Sequence, residues 1–261
     1  MGRFWQHARE WERPAQIAFG SALLLLAITI AVLVWGPGHL RQPALIGVFG
    51  LVVIGQMVVM WANRGMVTPY TRAQRLYLAE DFEGASDLLE PLRAAGKADT
   101  RALTLLGNIY RQRGLLAKSE EVLTEALALQ PDHYFPLYGF GRTLLVQGRY
   151  PEAAQILEQA LTAGAPGVVQ MDIGEAYYRS GQSEKASEQI AAVLGEVTEP
   201  HRQLMGMILL FQMKRGAAPS ASQVANGFAY WQAQAKRYAQ TPYGHALSED
   251  VRVMQTMMEE T

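Results

Sequence analysis

The sequence predicts an all-α protein in which a transmembrane helical hairpin precedes an α-solenoid that ends in capping helices. Three observations support this prediction. Two apolar stretches lie within the first 63 residues, where only six charged residues occur. Glycine, leucine and alanine then recur in register at intervals of 34 and 33 residues. Hydrophobic residues make up 49% of the chain and charged residues 18%, which is enough apolar material for a membrane segment and a packed core.

The composition excludes several classes of protein. The chain has no cysteine, which excludes disulfide scaffolds, thiolate nucleophiles, cysteine-ligated zinc and iron–sulfur clusters. Its 23 basic residues stand against 24 acidic ones, whereas a general nucleic-acid-binding protein normally has a basic excess. We therefore expect no nucleic acid among the partners.

The N-terminal segment, residues 1–13, is predicted to form a short interfacial helix on the cytoplasmic side. Phe4, Trp5, Ala8 and Trp11 recur at helical spacing among arginines, which is typical of a helix that lies on a membrane surface. A disordered tail is the alternative.

Residues 14–63 are predicted to form two transmembrane helices. Residues 15–35 and 43–63 contain eleven and ten Leu, Ile, Val and Phe residues respectively, with no ionisable residue in either. A helix of about 20 residues matches a hydrocarbon core of about 30 Å. The seven residues 36–42 connect them as a tight hairpin. A cleaved signal peptide and a buried soluble hairpin are the alternatives, but no cleavage site of small residues and no amphipathic stripe support them.

The distribution of arginines predicts the orientation of this hairpin. Three arginines precede the first span, one lies in the connection, and Arg64, Arg72 and Arg75 follow the second span. The positive-inside rule then places both termini in the cytoplasm. We therefore predict an integral protein of a bacterial cytoplasmic membrane, with the lipid bilayer as one partner and the following domain in the cytoplasm.

Residues 64–199 contain one degenerate and three clear copies of a repeat. The first clear copy has Gly107, Tyr110, Gly114, Ser119, Leu123 and Ala126. The next two have Gly141, Leu144, Gly148, Ala153, Leu157 and Ala160, then Gly174, Tyr177, Gly181, Ala186, Ile190 and Val193. The degenerate copy has Ala73, Phe82, Ala85 and Leu89. The spacing predicts helix pairs at 67–79/82–95, 100–112/116–129, 134–146/150–163 and 167–179/183–195.

This pattern resembles the tetratricopeptide repeat over residues 66–198. It departs from the family at Ser119 and Val193, where alanine is usual, and at Ala165 and Thr198, where proline is usual. The first glycine of each copy is small because the first helix packs closely on the second there. The second glycine fits the left-handed residue that ends the first helix. Tyr110, Leu123, Leu137, Phe140, Leu144, Leu157, Tyr177 and Ile190 are predicted to face inward between stacked helices.

Residues 200–261 are predicted to form a helical cap. Helices are expected at 204–214, 223–240 and 246–260, with a breaker at 216–222. On the second helix Phe228, Trp231, Ala235 and Tyr238 fall on one side. We interpret this stripe as core packing against the last repeat, with a ligand site as the alternative.

No catalytic, cofactor-binding or metal-binding residue is predicted. The five histidines are scattered without metal-ligand spacing. Residues 139–144 begin like a dinucleotide-binding fingerprint, but the third glycine is missing and the segment lies in the middle of a predicted helix. No nucleophile has an evident base. We therefore do not expect an enzyme, a cofactor or a metal.

The resemblance implies a concave groove lined by positions 2, 5, 9 and 12 of each repeat. The lining residues are Arg101, Thr104, Asn108, Arg111, Phe135, Tyr138, Arg142, Leu145, Val168, Met171, Glu175 and Tyr178. Arginine and aromatic residues dominate binding hot spots, so we expect a protein or peptide partner; a solvated groove is the alternative. Family members that bind chaperone tails have lysine at position 5 and asparagine at position 9, and this chain has Thr104 and Asn108 there.

These features together predict a membrane-anchored scaffold or adaptor that recruits a protein partner and assists the assembly of a complex at the membrane. One alternative is an accessory subunit or module of a membrane enzyme. Another is an assembly factor for exported proteins, with its repeats on the outer side.

Overall fold

The protein is described by a computed structural model over residues 13–63 and 68–259. These residues form thirteen α-helices and no strand. They divide into two compact units between Thr68 and Pro69. Of the predicted interfacial segment 1–13, only Arg13 lies within the described residues, where it begins the first helix.

The first unit is a pair of long helices, α1 (Arg13–Trp35) and α2 (Gly38–Asn63). Both are long and apolar enough to cross a membrane. Their large apolar side chains are mostly exposed, with Ile46 and Phe49 at 71% and 74% of full exposure.

The predicted connection of seven residues between these helices is wrong. Only Gly36 and Pro37 separate them, because α2 already begins at Gly38. The amide of Leu40 donates to the carbonyl oxygen of Pro37 at 2.9 Å and so starts the helix. Pro43, expected at the start of the span, lies inside α2. A proline near the first turn removes a single backbone donor, which the helix tolerates.

The second unit begins with four helix pairs. The first helices, here called A helices, are α3 (Pro69–Leu78), α5 (Thr100–Gln112), α7 (Tyr134–Gln147) and α9 (Val169–Arg179). The second helices, here called B helices, are α4 (Phe82–Ala94), α6 (Leu116–Leu129), α8 (Tyr150–Thr162) and α10 (Ser183–Val193). The predicted pairs are confirmed to within two residues at each end.

Close contact at one glycine per repeat holds each A helix on its B helix. A Cβ atom built on Gly141 would lie 2.7 Å from Cγ of Leu157, and Gly107 and Gly174 meet Leu123 and Ile190 in the same way. The glycine after each A helix also behaves as predicted. Gly148 has a φ of +80°, a left-handed conformation that glycine adopts without strain.

The predicted inward-facing residues form the core of the solenoid. Leu123, Leu157 and Ile190 are fully buried, while Phe140 is half-buried. Together with Tyr110, Leu137, Leu144 and Tyr177 they pack between successive helices, so each helix pair depends on its neighbours.

Three further helices follow the repeats: α11 (Pro200–Gln212), α12 (Ala221–Arg237) and α13 (Pro242–Glu259). Each begins two to four residues before its predicted start. For α12 the reason is a capping box, in which Ser220 and Gln223 each accept the other's backbone amide, at 3.4 and 2.8 Å. Trp231, Ala235 and Tyr238 are buried, which confirms the predicted core packing of the aromatic stripe.

Candidate protein-binding groove

Side-chain hydrogen bonds tie successive A helices together on the concave face. From α5, Nη1 of Arg111 donates to the carbonyl oxygen of Gly139 on α7 at 3.2 Å. From α7, the hydroxyl of Tyr138 donates to Asp172 Oδ2 on α9 at 2.9 Å. From α9, the hydroxyl of Tyr178 donates to Oε1 of Gln212 on α11. Helix α11 therefore continues the row as a fifth A helix.

A buried ion cluster lies at the centre of this row. Asp172 is only 4% exposed and pairs with Arg142 from α7 and with Arg202 from α11, the latter at 3.3 Å. Nη2 of Arg202 also donates to the hydroxyl of Tyr138 at 3.2 Å. Burial alone would raise the pKa of Asp172, but the two guanidinium groups hold it below its ordinary value. The carboxylate thus stays charged and joins three A helices.

A second buried cluster joins α9 to the last helix. Nη2 of Arg179 donates to Glu175 Oε1 at 3.2 Å and to Asp250 on α13. Nε2 of Gln212 donates to Oδ1 of the same aspartate at 3.1 Å. Burial raises the pKa of Glu175 above its ordinary value, although Arg179 and Arg142 act in the opposite direction.

Helices α12 and α13, with the joining residues 238–241, form a pair that we call the C-terminal hairpin. It covers part of the concave face. Nε1 of Trp231 donates to the carbonyl oxygen of His201 on α11 at 2.6 Å. The hydroxyl of Tyr238 donates to Oε1 of Gln112, at the end of α5, at 3.2 Å. Pro242 packs directly against Gly148, at the end of α7. The hairpin therefore touches the A helices from α5 to α11.

A small cavity remains between the C-terminal hairpin and α7, α9 and α11. Its volume is about 30 Å³, which admits water but no larger ligand. Its polar lining comes from Arg142, Asp172, Glu175, His201 and Arg202. Among the residues that the structure describes, no group of three or more His, Asp or Glu side chains is placed to hold a metal ion.

Comparison with known proteins identifies the repeats. Two sequence profiles described as tetratricopeptide repeats match residues 98–164 and 138–197. The chain is a tetratricopeptide repeat protein. No curated protein matches the sequence. The resemblance predicted from the glycine spacing is confirmed.

Solved structures of tetratricopeptide repeat proteins share this fold. The thermophilic protein TTC0263 from Thermus thermophilus aligns with 72% of this chain and 97% of its own, at 18% identity and a TM-score of 0.52. A tetratricopeptide repeat protein from Parabacteroides merdae aligns with 84% of this chain and 96% of its own, at 13% identity and a TM-score of 0.50. At these identities the similarity concerns the fold alone.

The predicted groove residues of this tetratricopeptide repeat protein differ widely in exposure. Arg101 is exposed, and its guanidinium lies 4.9 Å from the ring centre of Tyr70. The half-buried residues are Asn108, Phe135, Tyr138, Arg142, Val168 and Tyr178. The buried residues are Thr104, Arg111, Leu145, Met171 and Glu175. Neighbouring A helices and the C-terminal hairpin thus already contact much of the predicted surface.

One departure from the repeat pattern has a structural reason. The hydroxyl of Ser119 donates to the carbonyl oxygen of Gly107 at 2.8 Å and lies 2.9 Å from that of Thr143. The Thr143 hydroxyl in turn donates to the carbonyl oxygen of Gly139 at 3.0 Å. Serine here replaces the usual alanine because it links α6 to both α5 and α7 through buried hydrogen bonds.

Several polar residues of the groove were not predicted from the sequence. They are Asp172, Arg179, Arg202 and Asp250. Asp172 and Arg179 do not occupy positions 2, 5, 9 or 12 of their repeat, and the other two follow the predicted array. Gly206 was an available signal for α11, because it lies 32 residues after Gly174 and also meets close neighbours.

Proposed function

We propose that this protein is a membrane-anchored tetratricopeptide repeat scaffold that binds a protein partner and recruits it to the bilayer. The tetratricopeptide fold is the observation that carries the proposal, because this fold supports protein interaction generally. The scaffold would assist the assembly of a complex at the membrane.

The two N-terminal helices support the anchor. Their exposed faces carry Ile17, Leu24, Ile46 and Phe49, each more than 60% exposed. A soluble protein rarely exposes so large a continuous apolar surface, whereas a bilayer would cover it. The arginines that flank the spans favour a cytoplasmic position for the repeats.

The open part of the concave face supports direct binding of a partner. Arg101 has its guanidinium stacked on Tyr70 and is otherwise exposed. Phe135, at the equivalent position of the next repeat, is half-buried. Arginine and aromatic side chains that become buried on binding are the usual source of interface free energy. A protein segment with acceptor groups would fit this surface.

Co-purification from detergent tests the binding role. We expect a stoichiometric partner with the wild-type chain and at least a tenfold loss of capture with Arg101→Glu, since reversal of a central arginine costs about 2 kcal/mol or more. Arg252→Glu is the matched control, because Arg252 is equally exposed but lies on α13. Arg111 and Arg142 are less suitable, because both bond within the solenoid. Repeated recovery of the wild-type chain alone would contradict the proposal.

Cysteine labelling in intact cells tests the topology. The native chain has no cysteine, so a single introduced thiol gives a clean signal. His39 and Gln155 are both exposed. A cysteine at position 39 should react with a membrane-impermeant reagent, while one at position 155 should react only after permeabilisation. The reverse pattern would place the repeats outside and direct the search toward exported proteins.

A further inference from the structure

The C-terminal hairpin covers the part of the concave face that α7, α9 and α11 form. We propose that this covered part is a receptor for an amphipathic helix that presents a carboxylate to Arg179, and that α13 fills it until a partner helix of this kind takes its place. The inference rests on the proposed function and specifies the class of partner.

Helix α13 shows which helix the receptor accepts. Tyr243, Leu247, Asp250 and Met254 follow one another at intervals of three and four residues, and each is at most 2% exposed. The opposite side of the helix carries exposed polar residues such as Glu249 and Arg252. The receptor therefore binds one aromatic and two aliphatic or thioether side chains, with a carboxylate between them.

The carboxylate is the specific element of this contact. Asp250 pairs with Arg179 and accepts from Gln212, so it bonds to α9 and α11 at once. Asp250 and Glu175 raise the pKa of Arg179 although burial opposes its charge, so the guanidinium stays protonated. A helix without an acidic group at this position would leave the charge on Arg179 compensated by Glu175 alone, and a buried charge needs a full partner.

The fit of α13 is incomplete, which leaves room for a better ligand. The hydroxyl of Tyr243 and Nε of Arg179 are both buried, and neither has a hydrogen-bond partner among the described residues. Buried polar atoms without partners weaken an interface. A partner helix with an acceptor near either atom would bind more tightly than α13 does.

The hairpin can leave the groove as a unit. Residues 213–220 connect it to α11, and within the second unit this is the longest connection between successive described helices. Lys214, Arg215, Gly216, Ala217 and Ala218 are all exposed there. A long exposed connection allows α12 and α13 to move together without disturbing the repeats.

A binding assay with the hairpin itself as the probe tests the receptor. The probe is a fluorescent synthetic peptide of residues 221–259, titrated with full-length chains in detergent. Asp250→Arg in the chain places a cation against Arg179 and should expel the chain's own hairpin. This chain should bind the probe at least about tenfold more tightly than the wild type. Glu249→Arg, on the exposed side of the same helix, should match the wild type.

A second probe that carries Asp250→Asn tests the carboxylate. It should bind the Asp250→Arg chain at least about tenfold more weakly than the native probe, because it lacks the charge that Arg179 requires. Equal binding of the two probes would overturn the proposed specificity. Failure of a folded Asp250→Arg chain to bind the native probe would overturn the receptor.

Hydrogen exchange of the wild-type chain decides the matter if the Asp250→Arg variant does not fold. The amides of α12 and α13 should exchange together, at least about tenfold faster than those of α11. Fraying of the solenoid end would instead speed exchange in α11 as well, and that result or equal protection throughout would overturn the proposal. Neither measurement uses the unidentified partner, so their failure is distinct from a failed co-purification.

Discussion

Replacement of Gly141 by leucine should destabilise the solenoid, because α7 touches α8 at this residue. A Cβ atom at this position would lie 2.7 Å from Cγ, 2.8 Å from Cδ2 and 3.4 Å from the backbone nitrogen of Leu157. Non-bonded carbon atoms prefer a separation of about 3.5–4.0 Å. Leu157 is fully buried, so the two helices must separate by roughly 1 Å to admit even the first added carbon.

The expected magnitude follows from two opposing effects. Overpacking of a filled core costs about 1–3 kcal/mol, and four added carbons favour the upper part of that range. Leucine is the better helix former by up to about 0.8 kcal/mol. The free energy of unfolding should therefore fall by about 2 kcal/mol. For a domain of about 200 residues this lowers the melting temperature by roughly 4–8 °C.

Thermal unfolding of the full-length chain in detergent, followed by circular dichroism, measures the effect. Gly195→Leu is the control, because a Cβ atom at Gly195 meets nothing within 4 Å. The control should stay within about 0.5 kcal/mol of the wild type. A Gly141→Leu variant that melts with the control would refute the helix contact and the repeat register built on it.

Three further substitutions test the polar groups of the solenoid by equilibrium unfolding. Asp172→Asn should cost about 3 kcal/mol, because it leaves the buried charges of Arg142 and Arg202 without their partner; an effect as small as that of the exposed control Asp87→Asn would contradict this. Glu175→Gln should gain stability over the wild type as pH rises above about 4.3, because the raised pKa of Glu175 means that the folded wild type retains a proton that the unfolded chain has released. A pH-independent difference in melting temperature would argue against that cause. Ser119→Ala restores the residue usual in the family, yet it should cost about 1 kcal/mol through the lost hydrogen bonds to Gly107 and Thr143; unchanged stability would show that those bonds contribute nothing net.

The repeat spacing predicts the four helix pairs well because each depends on local contacts. Gly107, Gly141 and Gly174 must be small, and the glycine after each A helix must be left-handed, so the pattern is visible within 34 residues. The role of α11 was not predicted, because the connection 213–220 breaks the period. The period therefore shows where the repeats lie but not where the row of A helices ends.

The polar clusters could not be predicted for a different reason. Asp172 pairs with arginines 30 residues away on either side, and Arg179 pairs with Asp250 across 71 residues. Such pairs follow no periodic rule, and their formation depends on how the last helices fold back. The family resemblance identified positions that face the groove, but it did not show that the chain itself covers part of them.

The fold-back of the last helices also changes the mechanics of the solenoid. An array of repeats normally behaves as a spring, because each unit touches only its neighbours and small rotations add up along its length. Here Arg237 bonds to Glu80 and Gln112, which lie 157 and 125 residues earlier in the chain. These ties span several turns of the spring and act as a brace across its inner side. The solenoid should therefore resist stretching and bending while the brace is seated, and become compliant when it is removed.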